Sequence, residues 1–196
     1  SNSGNLFFSG HLNTPDKKIS LPAVQACADV IYQSASLEKN GFANLRFTAL
    51  ANVEPWSPFF PAAYHKGKEP ASALAIEGAD LAVNAFTNAA SLADARKNLT
   101  ESIEQHAQKL EAVGWQLENT YNIKFKGLDY SLAPYPTQEI SMGHALESLG
   151  LSAFGLSGTL AAAAFLTDTI DRASFTRTGF SGLMLPMLED STLSLR

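Results

Sequence analysis

The stretches of this chain that read as strands are separated by helical spans far too long for hairpin turns. That spacing constrains the fold more than any other feature. Leu45 to Val53 is largely apolar and makes the first strand candidate. Ile123-Lys-Phe-Lys126 alternates apolar and cationic residues, which is the period of a strand with one wet face near a sheet edge. Phe180 to Leu185 is the third candidate. Two helices read between each pair, and a connection of that length crosses over and leaves neighbouring strands parallel. The chain therefore reads as α/β: helix, strand, loop, two helices, strand, loop, two helices, strand, loop.

The helices carry their own signals. Ser20 caps a helix with Pro22 in its first turn, where a missing N–H is harmless. Val24, Cys27, Ala28, Ile31 and Ala35 recur at helical spacing, and Asn40-Gly41 stops the segment. A second helix is expected from Glu69-Pro70 to about Asn88. Ser91 and Asp94 form a capping-box-like start to the longest helix, striped by Leu92, Leu99, Ile103, His106, Leu110, Val113 and Leu117. His106 on that stripe reads as a core or half-buried histidine. Ser141 to Leu149 makes a short helix, and Leu160 to Leu166, apolar all round, reads as a buried one. Residues 1–19 read as an irregular segment broken by Gly4, Gly10 and Pro15. The 196 residues suffice for one α/β domain with a real core.

Charge and cysteine usage remove several classes of function. A net charge of −5 without a basic block excludes a nucleic-acid or anionic-membrane surface. The lone Cys27 permits no internal disulfide and no zinc site built on thiolates, and it fits a cytosolic setting. The longest apolar run is far too short to cross a bilayer, and no secretory signal pattern opens the sequence. A chain beginning at Ser1 is expected to be a processed or partial piece.

Four constellations carry chemistry. Glu54, Asp129, Glu189 and Asp190 all lie at or just beyond a strand end, so parallel strands would gather them on one rim beside Tyr64 and His65. Such oxygen ligands suit Mg²⁺, Mn²⁺ or Ca²⁺, and a histidine extends the range to Zn²⁺ or Fe²⁺. Glu54, His65, Asp129 and Glu189 serve equally as general acids and bases, or as solvated charges and helix caps. Glu77, Asp80 and Asn84 share a helix face without the histidine of a di-iron motif. Ser157, Gly158 and Thr159 precede a helix and offer either an anion seat or a cap. Arg46, inside an apolar strand, must reach solvent, pair with a carboxylate or clamp an anionic ligand, and Arg172 and Arg177 pose the same choice. Trp56, Phe59, Phe60 and Tyr64 either wall a pocket or pin their loop to the core. No Gly-x-Ser-x-Gly elbow is present.

Longer strings resemble a known family. Phe47-Thr-Ala-Leu-Ala-Asn-Val-Glu-Pro55, Ser57-Pro-Phe-Phe-Pro-Ala-Ala-Tyr-His65 and Glu77-Gly-Ala-Asp-Leu81 are similar to the family called domain of unknown function 711. So are Asp129-Tyr-Ser-Leu-Ala-Pro134, Gly158-Thr-Leu-Ala-Ala162 and Gly179-Phe-Ser-Gly-Leu-Met-Leu-Pro-Met-Leu-Glu-Asp190. The resemblance runs from about residue 20 onward. It implies an α/β barrel like that of pyruvate formate-lyase and ribonucleotide reductase, without their radical chemistry, since Cys27 falls on a helix and no glycyl-radical loop is present. It brings no established reaction and no catalytic residues. Family members extend further at both ends, and a closed barrel needs more strands than those read here. The leading expectation is an enzyme acting on a small anionic metabolite at the loop rim. The alternatives are a non-catalytic metabolite-binding or regulatory protein, and a homo-oligomer subunit packed through Trp56 to Tyr64.

Overall fold

Long helical connections demand parallel strands, and both strand pairs in the computed structural model are parallel. The structure describes residues 6–39, 41–59 and 62–196, with the backbone alone of Phe42. The breaks expected at Gly4 and Asn40, and the aromatic Phe60, lie outside these residues. Contacts divide the chain into two compact units, Ser1–Gly67 and Lys68–Arg196. The architecture is mixed α/β, and among the described residues its named strands form two two-stranded sheets.

In the first unit, β1 (Phe8–His11) lies parallel to β2 (Phe47–Leu50), with Phe8 opposite Phe47. The crossover is α1 (Leu21–Ser34), where Ser20 Oγ accepts from Ala23 N as its N-cap and Pro22 sits in the first turn. β1 corrects the reading of residues 1–19 as irregular. Its centre is Ser9-Gly10, which hides any strand pattern, yet the glycine is required there. A Cβ at Gly10 would stand 2.6 Å from Cys27 Sγ, so the bare backbone lets α1 seat its buried cysteine on the sheet. The second strand is shorter than expected, because Asn44 to Arg46 close a 3₁₀ turn (Phe42–Arg46) before it.

In the second unit, β3 (Ala71–Ala75) pairs with β4 (Lys124–Asp129), and α2 (Ala79–Thr87) and α3 (Leu92–Tyr121) make the crossover. The helix expected from Glu69-Pro70 is thus a strand followed by a helix. Ala-Ser-Ala-Leu-Ala has no β-branched residue to announce a strand; ladder pairing and a half-buried position override that weak propensity. Ser72 faces Phe125 and Leu74 faces Leu128, so Ala73 stands against both Lys126 and Gly127. Gly127 takes φ 116 in this bulge, and a Cβ there would overlap the carbonyl of Thr176.

The far edge of β4 is met by residues 176–178. Leu128 N donates to Thr176 O (2.8 Å) and Thr178 N donates to Leu128 O (3.0 Å). The strand expected over Phe180 to Leu185 does not form. Gly179 (φ 59) and Ser181 (φ 42) turn the backbone out of extended geometry just after this bridge.

Leu99 and Ile103 of α3, Phe86 of α2, and Leu128, Tyr130 and Leu132 around the end of β4 build the core. α4 (Met142–Glu147) and α5 (Thr159–Arg172) add Met142, Leu146, Leu166 and Ile170. The buried stripe of α3 is Ala95, Leu99, Ile103, Ala107 and Gly114, while Leu92, Val113 and Leu117 are exposed. Small residues carry this contact: a Cβ at Gly114 would stand 2.6 Å from the Phe125 ring. His106 is exposed rather than core, with Nδ1 3.4 Å from Tyr130 Oη. α5 is amphipathic, not buried all round, since Leu160 is 84% exposed while Ala162, Leu166 and Ile170 face inward. Among the described residues no helix is long and apolar enough to cross a membrane.

The end of α3 supplies a pH-dependent fastening. Asn122 closes the helix in the left-handed conformation (φ 54), and Glu118 then accepts from Phe125 N (2.8 Å) and pairs with Lys124 (3.0 Å) at the start of β4. The Phe125 N–H first, and then Lys124, hold the Glu118 carboxyl below its ordinary value of 4.5. A depressed folded-state pKa stabilises above the unfolded value and ceases to do so as pH falls through the folded one. The melting-temperature gap between wild type and E118Q is therefore expected to be full above about pH 4.5 and to close in more acidic solution. A pH series of thermal melts checks this.

Candidate functional site

Both buried acids anticipated at strand ends are occupied by the protein's own donors. Asp129, the last residue of β4, accepts from Ser131 Oγ (2.5 Å), Phe180 N (2.8 Å) and Ser181 N (2.8 Å). Its carboxylate thereby fixes the turn that follows the β4 bridge, and a side chain at Gly179 would collide with it. Asp190 sits at the N-terminus of α4, where helix N–H groups lack intrahelical partners. It accepts from Met142 N (2.6 Å) and Gly143 N (3.1 Å) through Oδ2. Oδ1 takes Ser141 Oγ (2.7 Å), Thr192 N (3.0 Å) and Leu193 N (3.0 Å). Each acid ties a late segment of the chain to an early element.

The other strand-end candidates lie at the surface or in local contacts. Glu189 is exposed. In the first unit Glu54 is exposed and pairs with Lys17 at 2.9 Å, Tyr64 donates to Val53 O (2.7 Å), and His65 packs edge-on against Trp56. Among the described residues no group of three or more His, Cys, Asp or Glu is placed to hold a metal ion. Arg46 takes the second of its three readings and pairs with Glu38 (2.9 Å). Arg177 pairs with Asp171 (2.8 Å) and donates to Ile170 O (2.7 Å), and Arg172 pairs with Asp168 (2.9 Å). Ser157, Gly158 and Thr159 are contiguous in the turn before α5. There Thr159 Oγ1 accepts from Gly155 N and donates to Leu156 O, while Ser157 is exposed.

A polar concavity of the second unit lies elsewhere. An open cleft of about 270 Å³ is lined by Asp80 and Asn84 on α2, by Asn88 at its C-cap, and by Gln138, Glu139 and His144 opposite. Asp80, Asn84 and Asn88 are four residues apart and so share one helix face. Glu139 lies on a 3₁₀ turn (Gln138–Ile140), and His144 follows on α4, whose Ser141 cap accepts from His144 N (3.0 Å). These walls are the first helical elements after the carboxyl ends of β3 and β4, the region where parallel α/β sheets place ligands. The Glu139 carboxyl is held below its ordinary value by its own backbone N–H, by the Thr137 hydroxyl and by His144. Two carboxylates, an imidazole and three amides facing one space can hydrogen-bond a small polar molecule and move a proton on it.

Of the anticipated helix-face trio, Asp80 and Asn84 line this cleft and Glu77 does not. Glu139 and His144 were missed in the sequence. They are five apart across a turn, a spacing that no motif flags, and only the capped start of α4 brings them opposite α2.

Comparison with known proteins adds a family without an assigned reaction. The family model described as "Uncharacterised ACR (DUF711)" matches residues 1–196. A UPF0210 protein of Actinobacillus succinogenes is 30% identical over 182 residues, covering 88% of this chain and 40% of the relative. One from Syntrophotalea carbinolica is 32% identical over 197 residues, covering 93% and 42%. The chain spans about two fifths of the length of the curated relatives it matches.

Proposed function

The chain belongs to the uncharacterised DUF711 family, and for it we propose an enzymatic role on a small, hydrogen-bonding metabolite held in the cleft between α2 and α4. The observation that carries this reading is that ionisable groups face one another across that cleft: Asp80 on one wall, Glu139 and His144 on the other. Glu139 and His144 are the proton-transferring pair, and Asn84, Asn88 and Gln138 orient hydroxyl or amino groups of the ligand. Two carboxylates favour such groups over the anionic metabolite suggested by the strand-end loops. Asp129 and Asp190 act through the backbone they hold, as positioning residues. Parallel pairing in both sheets supports the wider reading of a barrel like that of pyruvate formate-lyase, and the lone Cys27 supports a cytosolic setting.

Positioned acid–base groups contribute about 10²–10⁴-fold to rate. E139Q and H144Q are therefore expected to lower turnover by that order while leaving melting temperature within a degree or two of wild type. The check is a panel of polyols, sugars and amino compounds, assayed for binding and for conversion with both variants. Binding and turnover unaffected by either variant would remove the cleft from the mechanism. Binding that depends on these residues but yields no product would move the protein to the non-catalytic metabolite-binding reading.

A further inference from the structure

A second cleft, of about 520 Å³, lies where α3 and α5 meet and is lined by Ala93, Arg96, Lys97, Thr100, Glu101 and Arg172. Three cations face a single carboxylate there, in a chain whose net charge is −5. The two guanidinium groups are held in place from behind. Asp168 accepts from Arg96 Nη2 (2.7 Å) and from Arg172 Nε (2.9 Å) and Nη2 (3.1 Å). Arg96 also lies over the Phe165 ring, 4.8 Å from its centroid. A guanidinium carries five N–H donors, so this support leaves donors on both arginines for something else. Arg96 Nε is buried and has no hydrogen-bond partner. Lys97 reaches only to 4.0 Å from Glu101 and is 70% exposed. Thr100 adds a hydroxyl on the same helix face as Arg96.

We propose that this cleft binds a phosphate-type oxyanion, either free phosphate or the phosphate of a small monoester. Forked guanidinium donors held at fixed orientation match tetrahedral oxyanions, and the Asp168 bridge removes the ordering cost that two free arginines would incur. Asp168 uses one of the charges, and the cations still outnumber the carboxylates. The site is independent of the cleft between α2 and α4, and neither assignment rests on the other.

The test is a titration of the full chain with inorganic phosphate and, separately, with glycerol phosphate. Ionic strength is held fixed with chloride, because exposed charges are screened. ¹H–¹⁵N spectra that include the arginine Nε signals are expected to show saturable shifts at Lys97, Thr100 and Arg172. K97Q alone is expected to weaken binding several-fold. The K97Q/R172Q pair should weaken it at least tenfold with amide signals elsewhere unchanged. Tighter binding of the ester assigns the site to a phosphorylated metabolite, and equal binding assigns it to free phosphate. Shifts that rise linearly, that chloride reproduces, or that persist with unchanged affinity in the double variant would overturn the proposal.

Discussion

Asp190→Ala is expected to lower the stability of the unit formed by Lys68–Arg196 by about 3–5 kcal/mol. The side chain is 1% exposed and receives four backbone N–H groups and the Ser141 hydroxyl. Removing it strands buried donors, and each unsatisfied one costs about 1–3 kcal/mol before relaxation. The local consequence is as specific as the global one. Met142 N and Gly143 N open α4, the helix that carries His144, so faster amide exchange should begin at those two positions. D190N keeps one acceptor oxygen and should fall between the alanine variant and wild type. Urea denaturation with exchange at Met142 and Gly143 reads both effects. A D190A protein as stable as wild type would show that the carboxylate is held for chemistry rather than for the fold.

Asp129→Ala is the second large effect, with an expected loss of about 2–4 kcal/mol. Its carboxylate holds Ser131 Oγ, Phe180 N and Ser181 N, all at the point where residues 176–181 leave the edge of β4. Gly179→Ala should damage the same turn from the other side, because its Cβ would occupy the space of the carboxylate at a backbone angle (φ 59) that side chains rarely adopt. Protease accessibility of the 176–181 segment should rise in both variants. Asp129 was a candidate catalytic base in the sequence. A D129A variant that folds with wild-type stability and loses only turnover would assign it that role.

What could be read from the sequence was local. Ser20 and Ser91 act as N-caps as their spacing announced, and Lys124-Phe-Lys126 alternates as a half-wet strand. The crossover rule anticipated parallel strands, but as neighbours it named Leu45–Val53, Ile123–Asp129 and Phe180–Leu185; each pair that forms, β1 with β2 and β3 with β4, includes a strand the pattern did not show. The two strands missed, Phe8–His11 and Ala71–Ala75, have Ser, Gly and Ala at most of their positions, residues whose strand character exists only once a neighbour pairs with them. The stripe on α3 holds at Leu99 and Ile103, with Leu110 packed on the core, but Leu92, Val113 and Leu117 are exposed, because alanines and Gly114 make the remaining contact and close approach of β4 favours small residues over the leucines that pattern reading counts. Asp129 and Asp190 were identified as strand-end acids. Beside local donors, each also holds backbone N–H groups about fifty residues away in sequence, which no spacing encodes. The facing of Asp80 with Glu139 and His144 is likewise a product of packing between α2 and α4.

The cleft between α2 and α4 is the centre of this account, and mapping ligand contacts onto assigned ¹H–¹⁵N signals of the full chain tests it most directly. Titration with the panel of polyols, sugars and amino compounds should produce saturable shifts concentrated at Asp80, Asn84, Gln138, Glu139 and His144. N84A/E139Q should weaken that binding at least tenfold. Saturable binding that leaves these five residues unmoved, or a panel in which no compound moves them, would contradict it.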